Sequence, residues 1–176
     1  MEFEKEKFKE LFKQVYDEDL LSVVALPESG SARDYYRIFG DGFSVIGVAN
    51  ADQRENEAFI SFTDTFRTTG LPVPEILAVD EKVHFYLLSD LGDMTLFRYL
   101  NGLRKDDEGF PEEVLKYYIK VMDILPEFQV VAGKRIDYTK CYPRQAFDRQ
   151  SMQWDLNYFK YYFLRLAKIH VDEQLL

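Results

Sequence analysis

Gly40-Asp41-Gly42 separates a weakly alternating stretch, Asp34 to Phe39, from an apolar run, Phe43 to Val48, by a span that suits a tight turn. Glycine takes positive φ without steric cost, so the tripeptide reads as a hairpin turn and its flanks as paired strands. Downstream, Gln53 to Thr69 places Phe59, Phe62 and Phe66 on one helical stripe and ends at Gly70 and Pro72, both helix-stop residues. Glu75 to Val79 and Val83 to Leu88 form two further strands around an Asp80-Glu81-Lys82 turn. Upstream, Ser22 to Leu26 is a short strand stopped by Pro27. The order is strand, turn, strand, strand, helix, strand, strand.

Helices flank this block. Phe8, Leu11, Phe12, Val15 and Tyr16 recur at helical spacing among Lys and Glu, which predicts an amphipathic helix. Beyond Gly92 the strand pattern stops. Met94 to Leu100 begins helical material, and Pro111 to Val131 is a longer helix bent or ended at Pro126, because proline lacks the N–H. Gly133 to Pro143 is a loop. Phe147 to Leu176 has helical period, and its Trp154, Tyr158, Tyr161, Tyr162 and Leu166 are expected to form helix core. The expected class is α+β, with a strand-rich region over 1–92 and a helical one over 93–176.

The 176 residues are 47% apolar and 16% aromatic, enough to bury a core. A net charge of -9 without any basic run argues against nucleic acid and anionic membrane as partners. Cys141 is the single cysteine, so no internal disulfide forms, which fits a reducing compartment. Residues 1–17 are charged, unlike a secretory signal, and no run of 18 apolar residues occurs. A soluble cytoplasmic protein is expected.

Four segments then carry a resemblance: Gly30-Ser31-Ala32-Arg33-Asp34-Tyr35-Tyr36-Arg37, Glu55 to Phe59, Gly70-Leu71-Pro72-Val73-Pro74-Glu75-Ile76, and Leu87-Leu88-Ser89-Asp90-Leu91-Gly92-Asp93. In this order and spacing they resemble the aminoglycoside phosphotransferase and choline kinase group, in particular bacterial phosphotransferases similar to N-acetylmuramate/N-acetylglucosamine kinases. The likeness spans residues 25–100, with a weaker echo over Trp154 to Phe163. It implies a protein-kinase-like small lobe, an antiparallel sheet plus helix, followed by the first helices of a helical large lobe. It also implies ATP and Mg2+ as cofactors and a sugar-like hydroxyl as acceptor. On that resemblance Gly30 and Ser31 form a turn over the phosphates, and Ser89, Asp90 and Leu91 pass beside adenine and offer it backbone groups. A Gly-Ser turn by itself is equally an ordinary hairpin.

Glu55 falls on the Phe59 stripe, where a carboxylate needs a partner; it also stands in a first helical turn, which the helix dipole favours. Kinases pair such a glutamate with a third-strand lysine. This chain has no lysine between Lys13 and Lys82, and the cations available are Arg33, Arg37, Arg54 and Arg67. Arg33 is the candidate to supply charge to the phosphates and Arg37 the candidate to pair with Glu55; solvated surface arginines are the alternative.

The one His-x-Asp is His170-Val171-Asp172, and an asparagine five residues after that aspartate would fall beyond Leu176. Two readings stand, a catalytic loop interrupted by the chain end and a chance match late in a helix. The second is favoured, because Leu164, Ala167 and Val171 continue the helical spacing. Catalytic residues and metal ligands are therefore expected to be none in this chain. His84 is read as structural. The expectation is the N-terminal portion of an ATP-dependent small-molecule phosphotransferase, truncated and not active by itself, with uncovered helix faces that favour self-association. The competing expectations are a non-catalytic nucleotide-binding or protein-interaction module and an α+β scaffold with no nucleotide site.

Overall fold

In the computed structural model, residues 2–27, 30, 32–103 and 111–169 are described. Five strands, β1 (Ser22–Ala25), β2 (Asp34–Phe39), β3 (Ser44–Ala49), β4 (Ile76–Val79) and β5 (Phe85–Ser89), form one antiparallel sheet in the order β1-β2-β3-β5-β4. The glycine turn sets its centre. Gly40 N–H donates to the Phe43 carbonyl at 3.0 Å, Gly42 has φ +80°, and pairing runs from Phe39 with Ser44 to Asp34 with Ala49.

Successive strand residues point to opposite faces, so each strand has two partners to satisfy. Helix α1 (Glu2–Tyr16) covers one face: Phe8, Leu11 and Phe12 pack with Tyr36, Ile38, Val45, Phe85 and Leu87. Helix α2 (Gln53–Thr68) serves the other, with Phe59 stacked on Tyr86 at 5.6 Å beside Val48 and Leu88. Both helices were expected from spacing. Gly47 permits α1 to lie close, since a Cβ there would stand 2.7 Å from both Ile38 Cδ1 and the Phe8 ring.

Local chemistry ends α2 cleanly. Asp52 caps its start, its side chain accepting from the Arg54 and Glu55 N–H groups. At the other end Gly70 has φ +80° and Leu71 N–H reaches the Phe66 carbonyl at 2.9 Å, which satisfies a terminal acceptor. The turn before β5 is held by Asp80, whose Oδ1 accepts from the His84 and Phe85 N–H groups at 2.6 and 2.8 Å. Within it Val83 has φ +57°, a costly conformation for a β-branched residue.

Helices α3 (Leu96–Leu103) and α4 (Glu112–Pro126) follow β5, so the change from strand to helix occurs at the expected place. The α-helix ends at Pro126, one of the two outcomes expected there, and the backbone widens into a π-helical turn over Glu127–Val131. The chain divides into two compact units, Met1–Lys140 and Cys141–Leu176, with Gly92 inside the first. The second unit is built on α5 (Arg149–Phe159), capped by Asp148.

The aromatic stripe of α5 and of the π-helical turn after it, Lys160–Leu164, is not core. Trp154, Tyr158, Tyr161, Tyr162 and Leu166 are all exposed. Their rings pack along the helix instead, Tyr158 on Tyr162 at 4.5 Å and Phe159 on Phe163 at 5.2 Å. Helical period places residues on one stripe without providing anything to cover it. Several apolar residues of α4, among them Leu115, Ile119 and Met122, are exposed as well. Among the described residues no helix is long and apolar enough to cross a membrane.

Two substitutions test these packing claims by urea titration. Gly47→Ala should lower stability by about 1–3 kcal/mol, the usual cost of overpacking. Val83→Asn should raise it by about 1 kcal/mol, because asparagine tolerates the left-handed region that valine resists.

Candidate functional site

On the sheet face served by α2, the end of β3 and the start of α2 meet in a polar junction. Asn50 follows β3 directly and its N–H continues the ladder to the His84 carbonyl at 2.9 Å. Its amide is used completely. Nδ2 donates to Glu55 Oε2 at 2.9 Å and to Asn56 Oδ1 at 3.0 Å, while Oδ1 accepts from Asp52 N–H at 3.1 Å. Asn56, fully buried, returns two bonds from Nδ2, to the Asn50 carbonyl at 2.9 Å and the Val83 carbonyl at 2.7 Å. Buried amides persist only when satisfied in this way.

This junction leaves the second oxygen of Glu55 for Arg33. Arg33 Nη2 lies 3.2 Å from Glu55 Oε1 and donates to the Glu55 carbonyl at 3.3 Å, with its guanidinium 5.1 Å over the Phe59 ring. The arginine side chain is only 13% exposed, so this is a held cation and not a solvated one. Tyr86 stacks against the same Phe59 ring at 5.6 Å. Burial, the dominant effect, pushes its hydroxyl pKa well up and keeps it a neutral donor. Among the described residues that buried hydroxyl has no hydrogen-bond partner.

A second cluster sits at the far end of the same face. Asp90 receives Arg37 Nε at 2.6 Å and Ser44 Oγ at 2.7 Å on Oδ2, and Arg37 Nη2 at 3.2 Å and Gly92 N–H at 2.8 Å on Oδ1. Arg37 also reaches Asp93 at 2.8 Å. The expected pairing of Arg37 with Glu55 is therefore wrong. Arg37 pairs across the sheet with Ile46, and Ile46 with Leu88, which carries it toward the end of β5 and away from the start of α2. Burial raises the Asp90 carboxyl, but the bonds from Ser44, Arg37 and Gly92 outweigh it and hold its pKa below the usual carboxylate range.

The remaining candidates are scattered around these clusters. Ser89 exchanges bonds with Glu75, its Oγ accepting from Glu75 N–H at 2.9 Å and its own N–H donating to the Glu75 carbonyl at 2.9 Å. Leu91 is exposed. Gly30 is exposed, with no described atom within 4 Å of where a Cβ would stand, so no crowding requires glycine there. Ser31, His170 and Asp172 lie outside the described residues. Arg67 pairs with Glu75 at the surface, at 2.6 Å. His84 stands just before β5 and serves through its backbone. Sequence reasoning missed Asn50, Asn56, Ser44 and Tyr86. The hairpin register was the signal available for Asn50, since one step beyond Asp34 and Ala49 it stands opposite Arg33.

The arrangement offers a cation braced by a carboxylate at one end of the face and a clamped connector at the other. In register across the sheet stand Ile76, Leu88 and Ile46, then Arg37 of the second cluster, then the half-exposed Val24. Donors of this kind suit an anion. Among the described residues no group of three or more His, Cys, Asp or Glu could hold a metal ion. No protein-family model matches the chain, and no curated protein matches it.

The Asp90 clamp has a pH signature. A carboxylate whose folded pKa is depressed contributes stability that is present above its unfolded value, near pH 4, and is lost as pH falls through the folded one. Asp90→Asn should cost about 2 kcal/mol at pH 7 and flatten the acid limb of the stability curve below about pH 4, both read from urea titrations across pH.

Proposed function

We infer that residues 1–140 form the nucleotide-holding part of an ATP-dependent small-molecule phosphotransferase of protein-kinase-like fold, acting on a sugar or amino-sugar hydroxyl. One observation carries this reading. A glutamate in the first turn of the helix between the third and fourth strands is engaged by a cation, Arg33, that arrives from the turn before the second strand. Kinases hold the α- and β-phosphates with a third-strand lysine paired to a glutamate in this place, and here the paired cation is an arginine from another element.

Each residue then has a task within the reading. Arg33 meets phosphate oxygens, and Glu55 keeps the guanidinium from swinging into solvent. Tyr86 supplies a buried neutral donor behind them. Ile46 and Leu88 give the adenine ring an apolar surface, and the Asp90 clamp fixes the backbone of Ser89 to Leu91 beside it. ATP supplies the transferable phosphoryl group, with Mg2+ neutralising its oxygens. Phosphoryl transfer rests on positioning and charge neutralisation, so a rigid brace is what the reaction requires of this lobe.

A second reading, a nucleotide-binding module without turnover, is motivated by the lack of any lysine between Lys13 and Lys82, where kinases carry their phosphate-holding lysine. The two readings share the nucleotide and part at ADP formation. With MgATP at about a hundred times its Kd, the chain should gain about 2.7 kcal/mol of stability, seen as a rise in Tm, and Arg33→Ala should abolish the gain. Absence of any shift at millimolar MgATP would remove both readings in favour of a plain scaffold. ADP formation with amino sugars, by a form of the protein that also carries a catalytic aspartate and metal ligands, selects the enzyme, and none selects the module.

A further inference from the structure

The phosphate-binding cation and its glutamate brace leave one question of design, namely what replaces the lysine at the end of the third strand. We propose that Asn50 is a positioning residue that holds Glu55 by a neutral bond, so that the whole charge of Glu55 is directed at Arg33 and the phosphate-binding cation is carried by the turn before β2 instead of by β3. The proposal rests on the nucleotide reading above.

Three features of the junction support it. Ile46 and Val48 face α2, and Asn50, two residues on and still in the β3–β5 ladder, continues that face. Asn50 is 8% exposed, and its side chain is committed on every side, to Glu55, Asn56 and Asp52. Its bond takes Glu55 Oε2 and leaves Oε1, which is the oxygen nearest Arg33. A lysine in this place would neutralise Glu55 directly and give Arg33 a competitor. An amide orients the carboxylate and leaves its charge intact. Asn56 ties the same junction to the Val83 carbonyl, so Asn50 cannot turn away without breaking bonds on two elements.

The charged and titratable groups around this position are Glu55 and Asp52 from α2 and its cap, Arg33 from the segment before β2, His84, whose carbonyl accepts from Asn50 N–H, and the neutral Tyr86 hydroxyl from β5. Asn50→Asp is nearly isosteric and sets a second carboxylate against Glu55. At pH 8 it should weaken MgATP binding to the 176-residue chain by about tenfold, a change of about 1.4 kcal/mol. The loss relative to the wild-type chain at the same pH should shrink toward pH 5.5, as the carboxylate pair takes up a proton. Asn50→Ala should weaken binding with no such pH dependence. A merely structural role would lower Tm without producing the pH-dependent difference.

Should Asn50→Asp not fold, a cycle of Asn50→Ala and Glu55→Ala decides. If Asn50 acts through Glu55, the double variant binds MgATP no worse than Glu55→Ala alone. Calorimetric titration reads both. Wild-type binding with an unchanged Asn50→Asp affinity at pH 8, or with additive losses in the cycle, overturns the role of Asn50 and leaves the nucleotide reading standing. A wild-type chain that does not bind MgATP overturns both.

Discussion

The register of one hairpin governs the molecule. Because Phe39 pairs with Ser44 across the glycine turn, each step back along β2 meets a step forward along β3. The end of β3 and the start of α2 are thereby placed beside the residues that precede β2, and Arg33 meets Glu55. The opposite end of the hairpin is placed beside the end of β5, where Ser44 and Arg37 meet Asp90. A slip of one residue would exchange the two faces of every strand residue and send both arginines into the α1 side of the sheet.

The sheet resists such a slip because a helix packs on the centre of each of its faces. Phe8 touches Tyr36 at 5.2 Å and Phe85 at 5.6 Å, and Phe12 lies against Phe43 at 5.8 Å, so α1 senses three different strands or their turns. Phe59 and Tyr86 do the same for α2. The polar junction at Asn50 and Asn56 then adds direction. Apolar packing tolerates small rotations of α2, whereas two buried amides that must each find partners do not.

Much of this was legible in the chain. Gly40-Asp41-Gly42, Pro27, Gly70 and Pro72 marked the breaks, and the periods between them gave every strand and both helices that pack on the sheet. The partner of Glu55 was misread as Arg37; the hairpin register, extended by one pair, sets Arg33 near the end of β3 instead. Asn50 and Asn56 were harder to see. Asparagine occurs so often in turns and caps that nothing in a one-dimensional pattern marks two of them as mutually satisfying core residues. The aromatic row of α5 fails for another reason. Period identifies which residues share a stripe, and a stripe of Tyr158 and Tyr162 looks the same whether something faces it or, as here, the rings only stack on one another.

The pairing of Arg33 with Glu55 also bears on kinetics. The pair is neutral as a unit, Asn50 adds no charge to it, and the chain carries a net charge of -9. An anion approaching from solution therefore meets a repulsive far field and feels the guanidinium only at short range, within about a Debye length of 8 Å at physiological ionic strength. Added salt screens the repulsion before it weakens the half-buried contact. Capture of an anion by this face should quicken as moderate salt is added, the reverse of the usual steered encounter.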